Sequence, residues 1–466
     1  MSFVSVAFFV LFALTLTTQW LLPSRRLRQL TLLAASYVFY GWWDWRFCFL
    51  MLFLTAVAFF TGLRLEKKPG SRPALALGVT VPLAVLFFFK YMGFFVDSFC
   101  ALFGLNPAGA LRILLPVGIS FYTFQSLSYT IDAYRGKVAI SHDFCKFALY
   151  IAFFPQLVAG PIVKAADFLP QLEEDRRPTG AGVAQGMNLF LWGMLKKAVF
   201  ADQISPFVDS VFATPAAFSS GTVALAVLAY AIQIYFDFSG YSDMAIGCAK
   251  CLGYDLMKNF DLPYLSRNVS EFWKRWHISL STWLMEYLYI PLGGNRKGRA
   301  RTYLNLMITM LLGGLWHGAG INFILWGGFH GLALCAHKAW ARKFPAKPGF
   351  FRTAAATLCT FVFVCLCWIP FRAQTFSQTR AVLQKLFCWS GGVVFPHTWS
   401  IAAIVLLVLA TLYCVFRNRD AQGRVHGDAP VFRLGSFWGT FAFALLAGFV
   451  LVLMYTGDNP FIYFQF

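Results

Sequence analysis

Three stretches of the sequence set ionisable side chains inside runs that are otherwise apolar, where such groups are expensive and functional by default. His317 lies in "MLLGGLWHGAG", with two glycines before it and two after. An imidazole can act as a general base near neutral pH, and glycine lets a helix or a ligand approach the backbone closely. On these residues alone a buried histidine satisfied by a neighbouring helix weighs equally. His277, in "FWKRWHISLSTW", has Lys274 and Arg275 close by, cations suited to a phosphate-bearing donor arriving from the cytoplasm. An interfacial histidine among snorkelling bases is the commoner meaning of such surroundings. Asp237 and Asp243 fall in "QIYFDFSGYSDMAIG". As a pair they could relay protons, or they could accept hydrogen bonds and lock a broken helix, and the structural role is favoured. His330 and His337 follow on the next helical run, seven residues apart and so on one face, with no motif around them, and read as structural. The chain closes on "FIYFQF", an apolar segment with a single phenol, Tyr463. Phe461, Phe464 and Phe466 can pack such a segment without help from that hydroxyl.

The elements that must position these residues are membrane helices. Of 466 residues 59% are hydrophobic and 13% charged, and mean hydropathy is +0.62. Soluble domains are nearer half apolar and a quarter charged. Apolar runs of about 18 or more residues recur, as a bilayer span requires, and the ten-residue alternation of an outer-membrane barrel is not seen. The fold class is an all-α polytopic membrane protein. The net charge of +19 sits in short connections between apolar runs, the positive-inside pattern beside anionic headgroups. It does not form the basic and aromatic groove of a nucleic-acid binder.

Spans are expected near 2–22, 29–44, 46–63 and 74–90, then at 111–131, 143–163, 186–212 and 222–247. Several of the second group carry Gly, Pro and acidic residues, so broken or re-entrant helices belong among them, tolerated where they line a cavity or are buried in protein. Later spans fall at 353–371, 399–416 and about 435–456, after a helix pair turning at "HGAG". That gives roughly ten to twelve crossings. "MSFVSVAFFV" carries no charge and "RRLR" follows the first run, so the opening is not a signal peptide and the N-terminus is expected outside. The basic loops 64–72, 295–301, 337–352 and 417–424 are then cytoplasmic, and the last span leaves "FIYFQF" on the outer side. No linker or soluble domain interrupts the chain, which reads as one membrane domain over 1–466. Within it, 265–294 breaks the pattern. Ser270 followed by aromatics and charges, with Trp273, Trp276 and Trp283, reads as a capped amphipathic helix at the interface. The eleven cysteines lie mostly in apolar runs, and the lone CxxC at Cys248–Cys251 has no second pair or nearby histidines, a weak metal or redox signal. No nucleotide loop, metal cluster or GxSxG elbow is found.

"SEFWKRWHISLSTWLMEYLYIPLGGNR" and "YLNLMITMLLGGLWHGAGINFILWGGFHG" resemble the membrane-bound O-acyltransferase family. "LLPVGISFYTFQSLSYTIDAYRG", "FFPQLVAGPI" and "QIYFDFSGYSDMAIG" are similar to its bacterial branch, which includes the membrane subunit of alginate O-acetylation and relatives that act on peptidoglycan, cellulose or teichoic acid. The resemblance covers nearly the whole chain. One departure is local: branch members usually read Arg-Asp-Tyr where this chain has Met285, Glu286 and Tyr287, which leaves Arg275 or Arg267 to supply a lost cation.

The resemblance implies a ring of tilted helices around a thinned centre crossed by a tunnel. It places the family's catalytic histidine on His317, in the helix hairpin 302–338, and its second motif histidine on His277. It implies no permanently bound cofactor, with acetyl-CoA as cytoplasmic donor. In teichoic acid D-alanylation a separate small membrane peptide ends in a motif that resembles "FIYFQF", so the tail 457–466 is expected to present Tyr463 as an acyl carrier. A periplasmic serine-hydrolase-like transferase would then pass the acetyl group to a polysaccharide: alginate, peptidoglycan, cellulose or another exopolysaccharide. The expected setting is the bacterial inner membrane, with the bilayer and no nucleic acid as partner. Competing readings are a family member that acylates a lipid or a protein, and a secondary transporter, which also uses broken helices and buried charges.

Overall fold

The computed structural model describes residues 1–105, 113–158, 160–344, 349–395, 397–417, 432–455 and 457. Tyr463 and the rest of "FIYFQF" lie outside them. The described residues are almost entirely helical, with one isolated bridge between Phe218 and Val393, as an apolar medium demands that backbone groups pair within the chain. The chain is a polytopic α-helical membrane protein. Among the described residues four helices are long and apolar enough to cross a bilayer by themselves: Arg46–Lys67, Ser220–Cys251, Phe350–Arg372 and the stretch Arg72–Cys100. Contacts divide it into two compact units, Met1–Phe190 with Tyr241–Met257, and Leu191–Gly240 with Lys258–Phe466.

The first unit opens with α1 (Val6–Leu21), α2 (Arg25–Gly41), α3 (Arg46–Lys67) and α4 (Arg72–Leu102). Next come α5 (Ile119–Tyr134), α6 (Phe144–Ala152), α7 (Phe154–Leu157), α8 (Ala165–Glu173) and most of α9 (Gly180–Met194). The basic "RRLR" stretch is knitted into the fold. Arg28, 2% exposed, donates to the Leu22 and Pro23 carbonyls at 2.7 and 2.9 Å, where α1 has run out of helical partners, and pairs with Asp175. Arg26 pairs with Asp143, and Arg25 meets the Glu173 carbonyl. The run 143–163, in the group where broken or re-entrant helices are expected, is broken. Asp143 caps α6 through the Cys145 and Lys146 amides, and the helix stops at Phe153, just before Pro155.

The second unit holds a π-helical turn, Leu195–Ala201, which continues into α10 (Asp202–Ala213), and the first two-thirds of α11 (Ser220–Cys251). After these come α12 (Val269–Arg275), α13 (Ile278–Leu284), α14 (Gly298–His317), α15 (Ile321–Lys343), α16 (Phe350–Arg372), α17 (Phe376–Phe387), α18 (Thr398–Arg417) and α19 (Phe437–Leu453). The run 186–212 is thus interrupted by the π turn, whereas 222–247 is one unbroken helix despite its glycines and carboxylates.

Helices α14 and α15 form a hairpin joined by Gly318–Gly320. A Cβ on Gly314 would stand 2.2 Å from the Phe323 carbonyl oxygen, and one on Gly327 would stand 2.3 Å from that of Met310. The two backbones are therefore in direct contact, and neither oxygen can yield as a flexible side chain would. Replacing Gly327 with Val is expected to force the hairpin apart at a cost of about 1–3 kcal/mol, read as a lowered unfolding temperature of the detergent-purified protein.

Candidate active site

His317 is the last residue of α14, 4% exposed. Gly318 follows in extended backbone, and its missing side chain makes room for the Phe323 ring, which a Cβ would approach to 2.2 Å. Gly320 then starts α15, so the turn is short enough to bring Trp326 back over the imidazole. Three aromatic rings wall His317: Trp316 at 4.9 Å between ring centres, Trp326 at 5.0 Å and Phe371, from the end of α16, at 5.2 Å, all edge to face. Buried Asn322 ties the start of α15 to the end of α16 by donating to the Ala373 carbonyl at 2.7 Å, which holds Phe371 in place.

His277 stands between α12 and α13 with φ of 43°. That left-handed backbone is uncommon outside glycine. It ends one helix, starts the next and turns the imidazole inward, where it is 0% exposed. Asn259 explains why the ring can be there. Its side-chain oxygen accepts from the Ser279 backbone amide at 3.2 Å and the Ser279 hydroxyl at 2.9 Å, and lies 3.1 Å from His277 Nδ1. An atom that takes a backbone N–H must be the oxygen, so Nδ1 carries the proton and Nε2 holds the lone pair. The ring meets Phe238 edge to face at 4.6 Å and lies 6.4 Å from Trp316. His277 and His317 therefore flank the same indole.

The other candidates are placed differently from one another. Arg275 is engaged with Glu271 at 3.2 Å and with the Asp261 carbonyl at 3.1 Å. Arg267, just before the N-cap of α12, also pairs with Glu271, at 2.9 Å. Lys274 is exposed. Met285–Tyr289 forms a second π-helical turn, with Met285 exposed and Tyr287 buried. His330 is wholly buried among Trp273, Trp326 and Phe363, at 5.1, 5.0 and 5.5 Å, while His337 is half-buried. The Trp326 indole thus lies against both His317 and His330.

Asp237 joins a buried ion triad. The Lys197 ammonium lies 2.6 Å from Asp237 and 2.7 Å from Asp202, with all three side chains at least nine-tenths buried. Asp243 belongs to the first unit and is half-buried. The cation comes from the π turn, whose wider ring supplies a lysine that a regular helix would phase differently. Lys197 and Asp202 were missed in the sequence, although a lysine inside the apolar run "LWGMLKKAVF" is the signal by which an intramembrane ion pair is recognised. Asn259, Trp316, Trp326 and Phe371 were missed too, and only Trp316 stands beside a histidine in the chain.

The structure thus offers one candidate site, a buried histidine held at a glycine turn in a bed of aromatics, inside a polytopic helical protein. Residues 34–376 match the membrane-bound O-acyltransferase family. The chain is 38% identical to the probable alginate O-acetylase of Azotobacter vinelandii over the full length of both proteins. It is 44% identical to that of Pseudomonas syringae over 92% of this chain and 86% of the relative. Identity to the peptidoglycan O-acetyltransferase of Helicobacter pylori is 35%, over 78% and 74%. The chain belongs to the membrane-bound O-acyltransferase family and is an O-acyltransferase.

Burial pushes His277 from its ordinary 6.5 down to about 3. The folded chain therefore binds this proton later than the unfolded chain does. The stabilisation is fully present above pH 6.5 and is lost progressively as pH falls towards 3. The unfolding temperature of wild type should decline through that window, and His277→Gln should decline less steeply. For the ion triad, Lys197→Met strands two buried carboxylates and should cost about 3–5 kcal/mol. Adding Asp202→Asn and Asp237→Asn should restore most of that loss in thermal unfolding.

Proposed function

We propose that the protein takes an acetyl group from cytoplasmic acetyl-CoA and passes it across the bacterial inner membrane for O-acetylation of an extracytoplasmic polysaccharide, with alginate and peptidoglycan the foremost acceptors. The observation that carries this reading is His317, buried at a glycine turn and walled by Trp316, Trp326 and Phe371. Such a pocket excludes water, which would otherwise hydrolyse a thioester, and leaves one nitrogen base to move a proton.

In this reading the whole chain works as one acyl-transfer domain, with both termini outside and the basic loops in the cytoplasm. Tyr463 is the acyl carrier. His317 takes the proton of the phenol, whose reference pKa is about 10, and the Tyr463 oxygen attacks the thioester carbonyl carbon. As the tetrahedral intermediate collapses, the carbon–sulfur bond breaks and the imidazolium returns the proton to the departing thiolate. The product is O-acetyl-tyrosine and free CoA, and one difficult transfer has become two easier ones. A serine-hydrolase-like partner outside the membrane then takes the acetyl group to a sugar hydroxyl. His277, held neutral by burial, orients Trp316 against His317, and Lys274 meets the donor's phosphates. No bound cofactor or metal is required.

The test is mass spectrometry of the 457–466 peptide after incubating the full-length protein in nanodiscs with isotope-labelled acetyl-CoA. Label is expected on Tyr463 in wild type, absent in Tyr463→Phe, and formed at least about 100-fold more slowly in His317→Ala, the low end of a general-base contribution. Acyl transfer by Tyr463→Phe at the wild-type rate would sink the relay. Equal labelling in His317→Ala would remove the base. Label appearing on lipid or another protein would move the enzyme to a different acceptor class.

A further inference from the structure

A groove of about 870 Å³ lies between α3 and α4 in the first unit. One wall is a stripe along α3 at helical spacing, Phe53, Val57 and Phe60, which runs into Arg64 and then Lys68. Arg72, at the start of α4, faces the same end. Phe53 and Phe60 remain 50% and 63% exposed. The groove is thus apolar along its length and cationic at its end.

The three cations differ from Arg26, Arg28 and Lys146 of the same unit, which are paired with Asp143, Asp175 and Glu173. Among the described residues Arg64, Lys68 and Arg72 take part in no ion pair. The nearest carboxylate in sequence, Glu66, is engaged with His142 at 3.1 Å. Helix α4 presents an N-terminal end here with no acidic residue in its first turn and no side-chain cap from Ser71, opposite the C-terminal turn of α3 that carries Arg64. No carboxylate among the described residues pairs with the three cations, which leaves their charge open to an anion from outside the chain.

Length identifies the anion. From Phe53 to Lys68 is fifteen residues, about 22 Å of helix. That matches one leaflet, about 15 Å of hydrocarbon and a headgroup layer of several ångströms. A free phosphate or a nucleotide would leave the phenylalanine wall unused. We propose that this groove is a binding site for one anionic phospholipid, its phosphate held by Arg64, Lys68 and Arg72 and one acyl chain lying along Phe60 and Phe53. The proposal is independent of the acyl-transfer reading, since none of these residues belongs to the site around His317.

The test is native mass spectrometry of delipidated full-length protein titrated with dioleoylphosphatidylglycerol, dioleoylphosphatidylcholine or inorganic phosphate. Wild type should retain one phosphatidylglycerol at concentrations at least tenfold below those needed by Arg64→Gln/Lys68→Gln/Arg72→Gln. Ala56→Trp, which fills the groove and keeps the cations, should lose the same lipid. Phosphatidylcholine should bind all three proteins alike. Unchanged phosphatidylglycerol affinity in either variant overturns the proposal. So does displacement of the lipid by inorganic phosphate at equal concentration, which would leave an anion site only. Unfolding temperatures separate binding loss from misfolding, and if the triple variant does not fold, Arg64→Gln with Ala56→Trp decides.

Discussion

One carboxamide oxygen holds the candidate site together. Asn259 Oδ1 accepts from the Ser279 amide and hydroxyl and from His277 Nδ1, three donors meeting on one buried atom. Removing a buried hydrogen-bond partner of this kind costs about 1–3 kcal/mol. With that oxygen in place, His277 can afford a left-handed backbone. That conformation sets the angle between α12 and α13, and it also places Trp276 on the buried side, against Phe260 at 5.1 Å and Trp368 at 4.9 Å. The wall of aromatics around His317 continues from there: Trp368 stacks on Trp326 at 6.0 Å and meets Phe371 at 5.2 Å. A local hydrogen bond is thereby converted into the shape of a site built from five separate stretches of sequence.

That wall is apolar for a reason. Aromatic edges and faces contribute attraction beyond the area they bury. Rings are also stiff, so a histidine boxed by Trp316, Trp326 and Phe371 has little rotamer freedom to lose when a reaction needs it in one place. The glycines of the hairpin serve the same end from the other side. They let α14 and α15 touch by backbone, so His317 sits on two helices that move as one.

The sequence revealed the kind of fold and the residues able to do chemistry, because both are written in residue type: long apolar runs, and the few imidazoles and carboxylates inside them. His317 and His277 stand out for that reason. Most of their surroundings were illegible because, Trp316 and Ser279 apart, the partners arrive from elsewhere in the chain. Asn259 is 18 residues from His277, and Phe371 is far beyond any helical period from His317. The carboxylates of α11 mislead in an instructive way. Asp237 and Gly240 look like helix breakers only while their partners are unknown. Asp237 has Lys197, and Gly240 lies against the Gly193 carbonyl, which a Cβ would approach to 2.7 Å. Both features therefore join α11 to its neighbour and leave its own hydrogen bonds intact. In 143–163 the opposite holds. Asp143 meets local amides and Pro155 lacks a donor, so the break is decided by the stretch itself, and its Pro and acidic residue signal it in the sequence.

The π turn that carries Lys197 also constrains the end of the chain. The Tyr455 amide donates to the Ala198 carbonyl at 2.8 Å, and Gln203 donates to the Leu453 carbonyl at 3.2 Å. The residues that follow α19 are thus fastened one position away from the buried triad. Tyr463 is eight residues further on, and eight residues cover at most about 28 Å. Wherever the tail goes, its phenol stays within that radius of Ala198, lengthened only by its own side chain. In the proposed relay, a carrier on so short a tether would meet the same site at every turnover at high effective concentration. The ion triad that holds the π turn in register thereby fixes the point from which that reach is measured.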